Sequence, residues 1–520
     1  MNRASAPLQP DACYLALKAR DPRFDGCFFT GVTSTGIYCR PVCKVRTPRR
    51  ENCRFFGLAA QAEQEGFRPC LRCRPELAPH ALRWSIQDAS AVLAQQAARL
   101  LDEPDAWSEG VPVLEQLAGR LGVSDRHVRR IFEAQFGVSP GQYLQTRRLL
   151  TAKQLLADTD LPITQVALIS GYSSVRRFNA AFAQHYGLNP TQLRRSGPQR
   201  PGQGIPVRLG YRPPYDVAAM LAFFRKRQID GVEFVAPEAA QLGRSFAVDS
   251  GSKSYAGWLQ ATFDAGQHQL LLRVSDSLRD VLPLVIRRAR VWLDLDADPQ
   301  SINAVLHERF PDGDGLRVPG SMNGHELAVR AVLGQQITVA AARTLAQRLV
   351  NQFGAPVETP WPQISRLFPT AAVLAAGSGD ALGQLGIVRQ RQRAIVALSQ
   401  AVADGKLALH GGADVPATIA ALKALPGIGE WTAQYIAMRA LRWPDAFPAG
   451  DVALHKAIGV LEAKNPAREA QAASEAWRPW RSYAVIRAWS AMPVAPLGSR
   501  PGRARPVTPT AIQPVAGVLP

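Results

Sequence analysis

The chain has 520 residues, 47% of them hydrophobic, which is enough for about three to five globular domains. Its formal net charge of +19 comes from 61 basic and 42 acidic residues distributed along the whole chain. This favours a polyanionic partner that touches several domains over one local basic patch. We find no run of about 20 apolar residues and no apolar leader, so we expect a cytoplasmic protein without a membrane segment.

All seven cysteines lie in the first part of the chain, between Cys13 and Cys73. An odd number of cysteines clustered in one part of a long chain is not typical of a disulfide framework, and it favours a metal site in a reducing compartment. Four of them follow the pattern C-x3-C, 26 residues, C-x2-C, which fits tetrahedral Zn²⁺: Cys39, Cys43, Cys70 and Cys73. The others are expected to be packing residues: Cys13, Cys27 and Cys53.

The segment around the first cysteine pair is strongly basic. Its cationic side chains are expected to hold a DNA backbone: Arg40, Lys44, Arg46, Arg49, Arg50 and Arg54. Zinc keeps its cysteine ligands as thiolates, and a thiolate is the nucleophile that a methyl group needs. Methylation would remove negative charge from the cluster and reduce its repulsion of phosphate. A purely structural zinc knuckle is the alternative.

Residues 11–77 resemble the N-terminal zinc domain of the Ada adaptive-response proteins, in the stretches TGIYCRPVCKVRTPRRENCRFF and GFRPCLRC. The resemblance implies methyl transfer from DNA methylphosphotriesters to Cys39, with Zn²⁺ held by the four cysteines named above. Ada proteins usually continue into an alkyltransferase domain with a Pro-Cys-His-Arg motif. No cysteine follows Cys73 here, so repair of O6-methylguanine is not expected.

Residues 110–195 predict two helix-turn-helix units. In the first, helices at Val113–Leu121 and Asp125–Phe136 flank a turn that ends in the capping residue Ser124. The second unit has corresponding segments: a helix at Ile163–Ile169, a turn at 170–172, and Ser173 or Ser174 as the cap of the next helix. A connecting helix is expected around Gln142–Ala157. Such pairs also occur in helical bundles that do not bind DNA.

This region resembles the AraC-type DNA-binding domain, above all in GYSSVRRFNAAFAQHYGLNPTQLR. Arginines at the start of both second helices support a DNA-binding role. The side chains expected to face DNA are Arg126, Arg129, Arg176, Arg177 and Asn179. His127 and His185 are expected to be surface or core residues.

The stretch from Gly197 to Gly204 has the composition of a flexible linker. After it, a helix at Asp216–Arg227 and three strands predict a small α+β unit without chemistry of its own. The predicted strands are Arg244–Val248, Tyr255–Phe263 and Gln269–Val274.

The stretch LKALPGIGEWTAQYIAMRAL, which begins at Leu422, is typical of two helices joined by a tight hairpin. Gly427 and Gly429 leave backbone N–H groups at the N-terminus of the second helix, an arrangement that suits a DNA phosphate. An ordinary corner between helices is the alternative. At 334–338, between predicted helices at Glu326–Leu333 and Val339–Val350, a side chain could enter a duplex.

Asp451 follows the hairpin and its second helix, in a loop that contains Pro448. An enzyme that cleaves an N-glycosidic bond in duplex DNA must first extrude the nucleotide. Positive charge then develops on the sugar, and a fixed aspartate stabilises it or activates water. An alkylated purine is cationic and favours aromatic faces, for which the candidates are Trp431, Tyr435 and Trp489.

Residues 205–491 resemble the AlkA branch of the helix-hairpin-helix DNA glycosylases, in RVPGSMNGHELAVRAVLGQQIT, LPGIGEWTAQYIAMRAL and WRPWRSYAVIRAW. The resemblance implies excision of alkylated bases, chiefly 3-methyladenine, with Asp451 as the catalytic aspartate and Gln336 as the intercalating residue. Related lyases carry a lysine where Trp431 stands, which implies a monofunctional glycosylase. Family members often have an aromatic residue in place of His325, which affects the edge of the pocket.

These patterns predict a multidomain α+β protein: a small zinc-binding α/β domain, an all-α tandem helix-turn-helix domain, a small α+β domain and a mostly α-helical glycosylase domain. The predicted boundaries are 1–80, 81–196, 197–204 for the linker, 205–298, 299–492, and 493–520 for a disordered tail. We expect a monomer that senses and repairs alkylated double-stranded DNA, activates transcription and contacts RNA polymerase. The alternative is a non-catalytic DNA-binding regulator whose glycosylase half only recognises damage.

Overall fold

A computed structural model describes residues 9–80, 89–103, 113–194, 204–250, 253–377 and 379–491. The predicted tail and all of the predicted linker except Gly204 lie outside these residues. Among the described helices, none has the length and apolar composition that crossing a bilayer requires.

The first domain is a small four-stranded sheet with two helices. The strand order is β3-β1-β2-β4, antiparallel except for the parallel pair β2 and β4. This pairing brings the first cysteine pair, at the end of β2, beside the second, directly after β4. The elements are α1 Pro10–Ala19, β1 Phe29–Val32, β2 Ile37–Cys39, β3 Cys53–Phe56, α2 Ala59–Gln64 and β4 Arg68–Pro69.

The second domain is entirely helical in the residues described. Both second helices of the predicted units begin at a serine whose hydroxyl accepts a backbone N–H, Ser124 from His127 and Ser174 from Arg177. The connecting helix α6 is longer than predicted. The elements are α3 Ala89–Asp102, α4 Val113–Leu121, α5 Asp125–Phe136, α6 Pro140–Asp158, α7 Ile163–Ile169, α8 Val175–Tyr186 and α9 Pro190–Leu193.

The third region is a five-stranded antiparallel sheet of order β5-β9-β8-β7-β6. In the chain, helix α10 lies between β5 and β6. One hydrophobic core includes this sheet and the second helix-turn-helix unit. The elements are β5 Ile205–Gly210, α10 Val217–Arg227, β6 Glu233–Ala236, β7 Gln241–Ser250, β8 Lys253–Asp264, β9 Gln269–Val274, α11 Leu282–Trp292 and α12 Pro299–Leu306.

The remaining described residues form a helical domain around its own core. Helix α13 lies at the centre and packs against both α17 and α19. The elements are α13 Gly324–Leu333, α14 Val339–Phe353, α15 Ala371–Ala375, α16 Gly379–Gln384, α17 Arg389–Ala403, α18 Val415–Ala424, α19 Glu430–Arg439, α20 Val452–Ile458, α21 Pro466–Ser474 and α22 Arg481–Ser490.

Buried ion pairs join the cysteine-bearing domain to helix α6. Arg74 pairs with Asp158 at 2.7 Å, and Lys153 pairs with Glu76, all within the interface. Buried charges are stable only when they are paired and hydrogen-bonded, so this contact depends on matched partners on both sides. The two domains are therefore fitted to each other rather than loosely tethered.

Arg212, which follows β5, is fully buried where three segments of chain meet. Its guanidinium donates to the carbonyl oxygen of Asp25 at 2.7 Å, in the cysteine-bearing domain. It also donates, at 2.9 to 3.2 Å, to the carbonyls of Pro79, His80, Asp296 and Ala297. One side chain thus connects the cysteine-bearing domain, the segment after it and the end of the β-sheet domain.

Candidate functional site

The four cysteines of the predicted metal site come together. Their sulfur atoms all lie within 4.8 Å of one another, and three of the side chains are buried. Four thiolates at this spacing match the ligand set of a structural tetrahedral Zn²⁺ site. The backbone N–H of Arg40 donates to the Cys73 sulfur at 3.3 Å, which stabilises negative charge on the cluster.

Arg40 itself does not face DNA, contrary to the expectation from sequence. Its side chain is 6% exposed, and its guanidinium pairs with Asp25 and donates to the carbonyl of Cys73 at 3.0 Å. The residue follows Cys39 directly, so its side chain points beneath the cluster into the domain. The other predicted cations remain at the surface or half-buried: Lys44, Arg46, Arg49, Arg50 and Arg54.

The three remaining cysteines lie apart from the cluster and form no disulfide among the described residues. Cys13 packs in a small apolar group with Phe28, and burial raises the pKa of its thiol to about 11. The Cys53 thiol donates to the carbonyl of Arg49. These environments suit packing residues rather than metal ligands or nucleophiles.

The residues predicted to contact DNA in the helix-turn-helix units all lie on the exposed side of their helices. On α5, Val128, Ile131 and Phe132 are buried, so the opposite face of this helix is open. Helix α8 has the same arrangement over Phe178 and Phe182. The exposed predicted residues are Arg126, Arg129, Arg176, Arg177 and Asn179.

The hairpin between α18 and α19, residues 425–429, has the predicted form. Gly427 has φ +75°, and a Cβ there would lie 3.2 Å from the Cβ of Ala394 on α17, so a glycine is required. Gly429 is the N-cap of α19, and no side chain caps that helix in the described structure. A Cβ on Gly429 would meet nothing within 4 Å. The N-terminus of α19 therefore has no side-chain cap, and Gly429 leaves space beside it.

Asp451 caps helix α20 and is held by hydrogen bonds to both oxygens. Its Oδ1 accepts from the Leu454 N–H at 2.7 Å and from the Trp489 Nε1 at 3.1 Å. Its Oδ2 accepts from the Trp431 Nε1 at 2.8 Å. The carboxylate is 8% exposed, so these donors replace much of its hydration and fix its orientation.

The three predicted aromatic residues form one wall beside this carboxylate. Trp431 stacks on Tyr435 with 5.3 Å between the ring centroids and an interplanar angle of 15°. The ring centroids of Tyr435 and Trp489 are 6.3 Å apart. Burial alone would raise the pKa of Tyr435, but the guanidinium groups of Arg439 and Arg227 lower it below its ordinary value. The phenol oxygen accepts a hydrogen bond from Arg439, which fixes the ring.

Helix α10 contributes to this wall, although the sequence indicated no chemistry in its domain. The Arg439 guanidinium lies 5.3 Å from the Tyr435 ring and 4.8 Å from the Phe223 ring. Arg227 lies 3.7 Å from the Phe223 ring. The phenylalanine pair followed by basic residues in AFFRKR was the signal that could have indicated these residues.

His325 does not lie at the edge of the pocket. It is buried near the start of α13, and its Nε2 lies 2.9 Å from the Ser399 hydroxyl of α17. Burial lowers the pKa of His325 to about 4, so its ring is neutral near pH 7. The residue belongs to the packing between two helices.

Gln336 lies at the junction of α13 and α14, residues 334–338, which we call the wedge turn. It is exposed and has φ +56°, an unusual conformation for a residue with a side chain. Gln335, the other glutamine of this predicted junction, donates instead to the Gly427 carbonyl of the hairpin, 2.9 Å away.

Family models match four successive parts of the chain. The metal binding domain of Ada matches residues 12–76, and a helix-turn-helix domain matches residues 117–196. The AlkA N-terminal domain matches residues 206–323, and the HhH-GPD superfamily of base excision DNA repair proteins matches residues 329–482. The fold and sites therefore define a DNA-binding protein with a zinc-binding domain and a helix-hairpin-helix glycosylase domain.

Curated relatives contain the same parts, together or separately. A "probable bifunctional transcriptional activator/DNA repair enzyme AlkA" of Mycobacterium tuberculosis is 37% identical over 93% of this chain and 96% of its own length. Escherichia coli DNA-3-methyladenine glycosylase 2 is 34% identical over 54% of this chain and 95% of its own. Escherichia coli Ada is 33% identical over 36% of this chain and 50% of its own. The chain belongs to the family of bifunctional proteins that join an Ada-type activator to an AlkA-type glycosylase.

Proposed function

We propose that this protein responds to DNA alkylation with two chemistries. One hydrolyses the N-glycosidic bond of alkylated bases of the 3-methyladenine type. The other senses methylphosphotriesters by methyl transfer to a zinc-bound cysteine and so activates transcription. The observation that supports the hydrolysis is the position of Asp451, whose carboxylate is fixed by two indole N–H groups beside an aromatic wall. We place the four domains at 1–80, 81–196, 205–298 and 299–492.

In the excision reaction, the hairpin glycines Gly427 and Gly429 hold a backbone phosphate, and Gln336 fills the gap left by the extruded nucleotide. The cationic base lies against Trp431, Tyr435 and Trp489, whose π faces attract positive charge. As the glycosidic bond breaks, its electrons leave with the base and positive charge develops on the sugar. The fixed carboxylate of Asp451 stabilises that charge without having to reorganise.

Water then supplies the hydroxyl group that completes hydrolysis. The position where related lyases carry a lysine is Trp431, whose indole N–H is bound to Asp451. An indole cannot form a Schiff base with the sugar. We therefore propose a monofunctional glycosylase that leaves an intact abasic site.

In the sensing reaction, Cys39 is the methyl acceptor of the zinc site formed by Cys39, Cys43, Cys70 and Cys73. Bound zinc keeps the thiols ionised at neutral pH. The Cys39 sulfur attacks the methyl carbon, an S–CH₃ bond forms, and the O–CH₃ bond breaks to leave a phosphodiester anion. The thioether is a permanent product, so each molecule transfers one methyl group.

Loss of one negative charge from the cluster reduces its repulsion of the DNA backbone. The exposed surfaces of α5 and α8 then bind promoter DNA through Arg126, Arg129, Arg176, Arg177 and Asn179. We propose that the protein acts as a monomer, recruits RNA polymerase and works in the cytoplasm, where reduced thiols persist.

The alternative is a regulator whose glycosylase half only recognises damage. Release of abasic sites from alkylated duplex DNA by purified protein separates the two. We expect excision by the native protein and a loss of about 100- to 1,000-fold in Asp451→Asn. Asp414→Asn is the matched control, since Asp414 caps α18 as Asp451 caps α20. If the native protein produces no abasic sites above the background seen with Asp451→Asn and with DNA alone, the non-catalytic regulator is favoured.

A further inference from the structure

The wedge turn and the hairpin, the two elements proposed to contact DNA, belong to two different helix pairs. The wedge turn joins α13 to α14, and the hairpin joins α18 to α19. They are about 90 residues apart in the chain, so their relative position depends on tertiary contacts. An enzyme that anchors a phosphate and fills a gap must keep these two elements at one spacing.

The Gln335 side chain joins the two elements directly. Its Nε2 donates to the Gly427 carbonyl at 2.9 Å and to the Thr432 hydroxyl oxygen at 2.9 Å. Gly427 lies in the hairpin, and Thr432 lies in the first turns of α19, where it is 3% exposed. A backbone carbonyl can only accept, so the amide nitrogen of Gln335 must face Gly427.

A second contact reaches the wedge turn from helix α17. The Arg391 guanidinium donates to the backbone carbonyl of Gln335. Helix α17 also lies directly behind the hairpin, since a Cβ on Gly427 would be 3.3 Å from the Gln390 carbonyl. The Gln335 backbone and side chain are therefore fixed from two sides.

The residue that follows carries backbone strain. Gln336 has φ +56°, a conformation that is unfavourable for a residue with a Cβ. Such a conformation persists only where neighbouring contacts determine it. The hydrogen bonds of Gln335 are contacts of this kind, because they fix the backbone immediately before Gln336.

We propose that Gln335 is a positioning residue for base extrusion: it holds the wedge residue Gln336 at a fixed distance from the phosphate-binding hairpin. The inference rests on the proposed role of Gln336 as the intercalating side chain. Gln335 acts through Gln336 and does not touch the reacting atoms, which lie at Asp451. Its loss should slow extrusion and leave the Asp451 site intact.

The test compares Gln335→Met, which keeps the side-chain length and removes the amide, with Gln336→Ala and the double variant. A duplex with an alkylated base beside 2-aminopurine reports extrusion by fluorescence and excision under single-turnover conditions. We expect Gln335→Met to lower the rate of extrusion and the rate of excision about tenfold each, because two hydrogen bonds are lost. The double variant should be no slower than Gln336→Ala, because the two residues act in one step.

Two substitutions at Thr432 test the hydroxyl oxygen that accepts a hydrogen bond from the Gln335 amide. Thr432→Ser keeps the oxygen and should extrude and excise as the native protein does. Thr432→Val has nearly the same shape without the oxygen and should fall between native protein and Gln335→Met. This ordering would not arise from a general loss of folding, since both substitutions are conservative in size.

Three results would overturn the proposal, and they are distinguishable. If Gln336→Ala slows excision while Gln335→Met does not, or if their effects multiply in the double variant, Gln335 does not act through the wedge residue. If Gln336→Ala leaves extrusion and excision unchanged, the proposed intercalating role fails and the inference fails with it. In that case the Asp451→Asn result still decides whether the protein is a glycosylase.

Discussion

The cysteine cluster and the Asp451 site place reactive groups by different means. The four sulfur atoms belong to two short stretches that a single strand pairing brings side by side. The carboxylate of Asp451 is instead held by donors from α19 and α22, with helix α20 beginning at the aspartate itself. One centre forms within about 60 residues of chain, while the other needs the whole helical domain to be folded.

The difference suits the two proposed reactions. A methyl acceptor reacts once, so it needs a nucleophile and a means of reporting the change. A glycosylase turns over, so it needs a fixed charge that survives each cycle and an aromatic surface that releases the base. The two centres should therefore fail independently, and the following experiments test that independence.

Cys39→Ala should have the largest effect. It removes the proposed acceptor sulfur, so methyl transfer from a methylphosphotriester duplex should fall to background, as measured with a radiolabelled methyl group. Excision by the same preparation should stay within about twofold of native protein, because Asp451 lies in another domain. Cys53→Ser is the control, since a hydroxyl can replace the thiol that donates to Arg49. Parallel loss of both activities would show that the centres are coupled.

Trp489→Phe should have the next largest effect, confined to excision. Phenylalanine keeps an aromatic face for the base but removes the N–H donor to Asp451 Oδ1. Loss of a hydrogen bond to a charged group predicts about a tenfold lower kcat with little change in KM. Trp431→Phe removes the donor to Oδ2 and should behave alike. A raised KM with normal kcat in both variants would mean that the indoles only stack on the base.

Local patterns in the sequence predicted the elements of both centres well. In the helix-turn-helix units, apolar spacing predicted α4 and α7, and the Ser124 cap with apolar spacing predicted α5, all with the bounds that the structure has. The cysteine spacing predicted the metal ligands that the structure brings together, because ligands close in sequence need little tertiary information. The hairpin was predictable for the same reason, since its turn chemistry is local.

Contacts between distant segments were not predictable in the same way. Arg40 was expected at the DNA surface because it is basic and follows Cys39, but its partner Asp25 buries it. The strands β5 and β6 were missed: each lies at an edge of the sheet and pairs with only one strand, β9 or β7, which comes later in the chain. The AFFRKR pattern could have indicated an aromatic and basic surface around Phe223, but the contact of this ring with Arg439 near Tyr435 depends on tertiary packing.

Arg212→Met should test whether the two halves are one folding unit. The substitution leaves carbonyls of three segments without their buried donor, beginning with Asp25. We expect a loss of about 3 kcal/mol in the free energy of unfolding, measured by urea denaturation. Methyl transfer and excision per folded molecule should persist at low temperature. An unchanged unfolding curve would show that the contact contributes nothing to the joined structure.

His325→Gln should have the smallest effect on activity and shows where the glycosylase site ends. In the native protein, burial lowers the pKa of His325 from 6.5 to about 4, so the folded state binds the proton less well than the unfolded state. The stabilising contribution of neutral His325 is therefore fully present above about pH 6.5 and is lost as pH falls toward 4, by about 2 kcal/mol between pH 7 and pH 5.

Glutamine at this position can still bond to Ser399 but does not titrate in this range. We expect the variant to keep normal excision at pH 7.5 and to lose less stability on acidification than the native protein. Because burial also lowers the pKa of His80, the informative quantity is the difference between the two pH profiles in denaturant unfolding. Identical profiles would show that His325 does not contribute to the pH dependence of stability, and slow excision at pH 7.5 would show that it contributes to the glycosylase site.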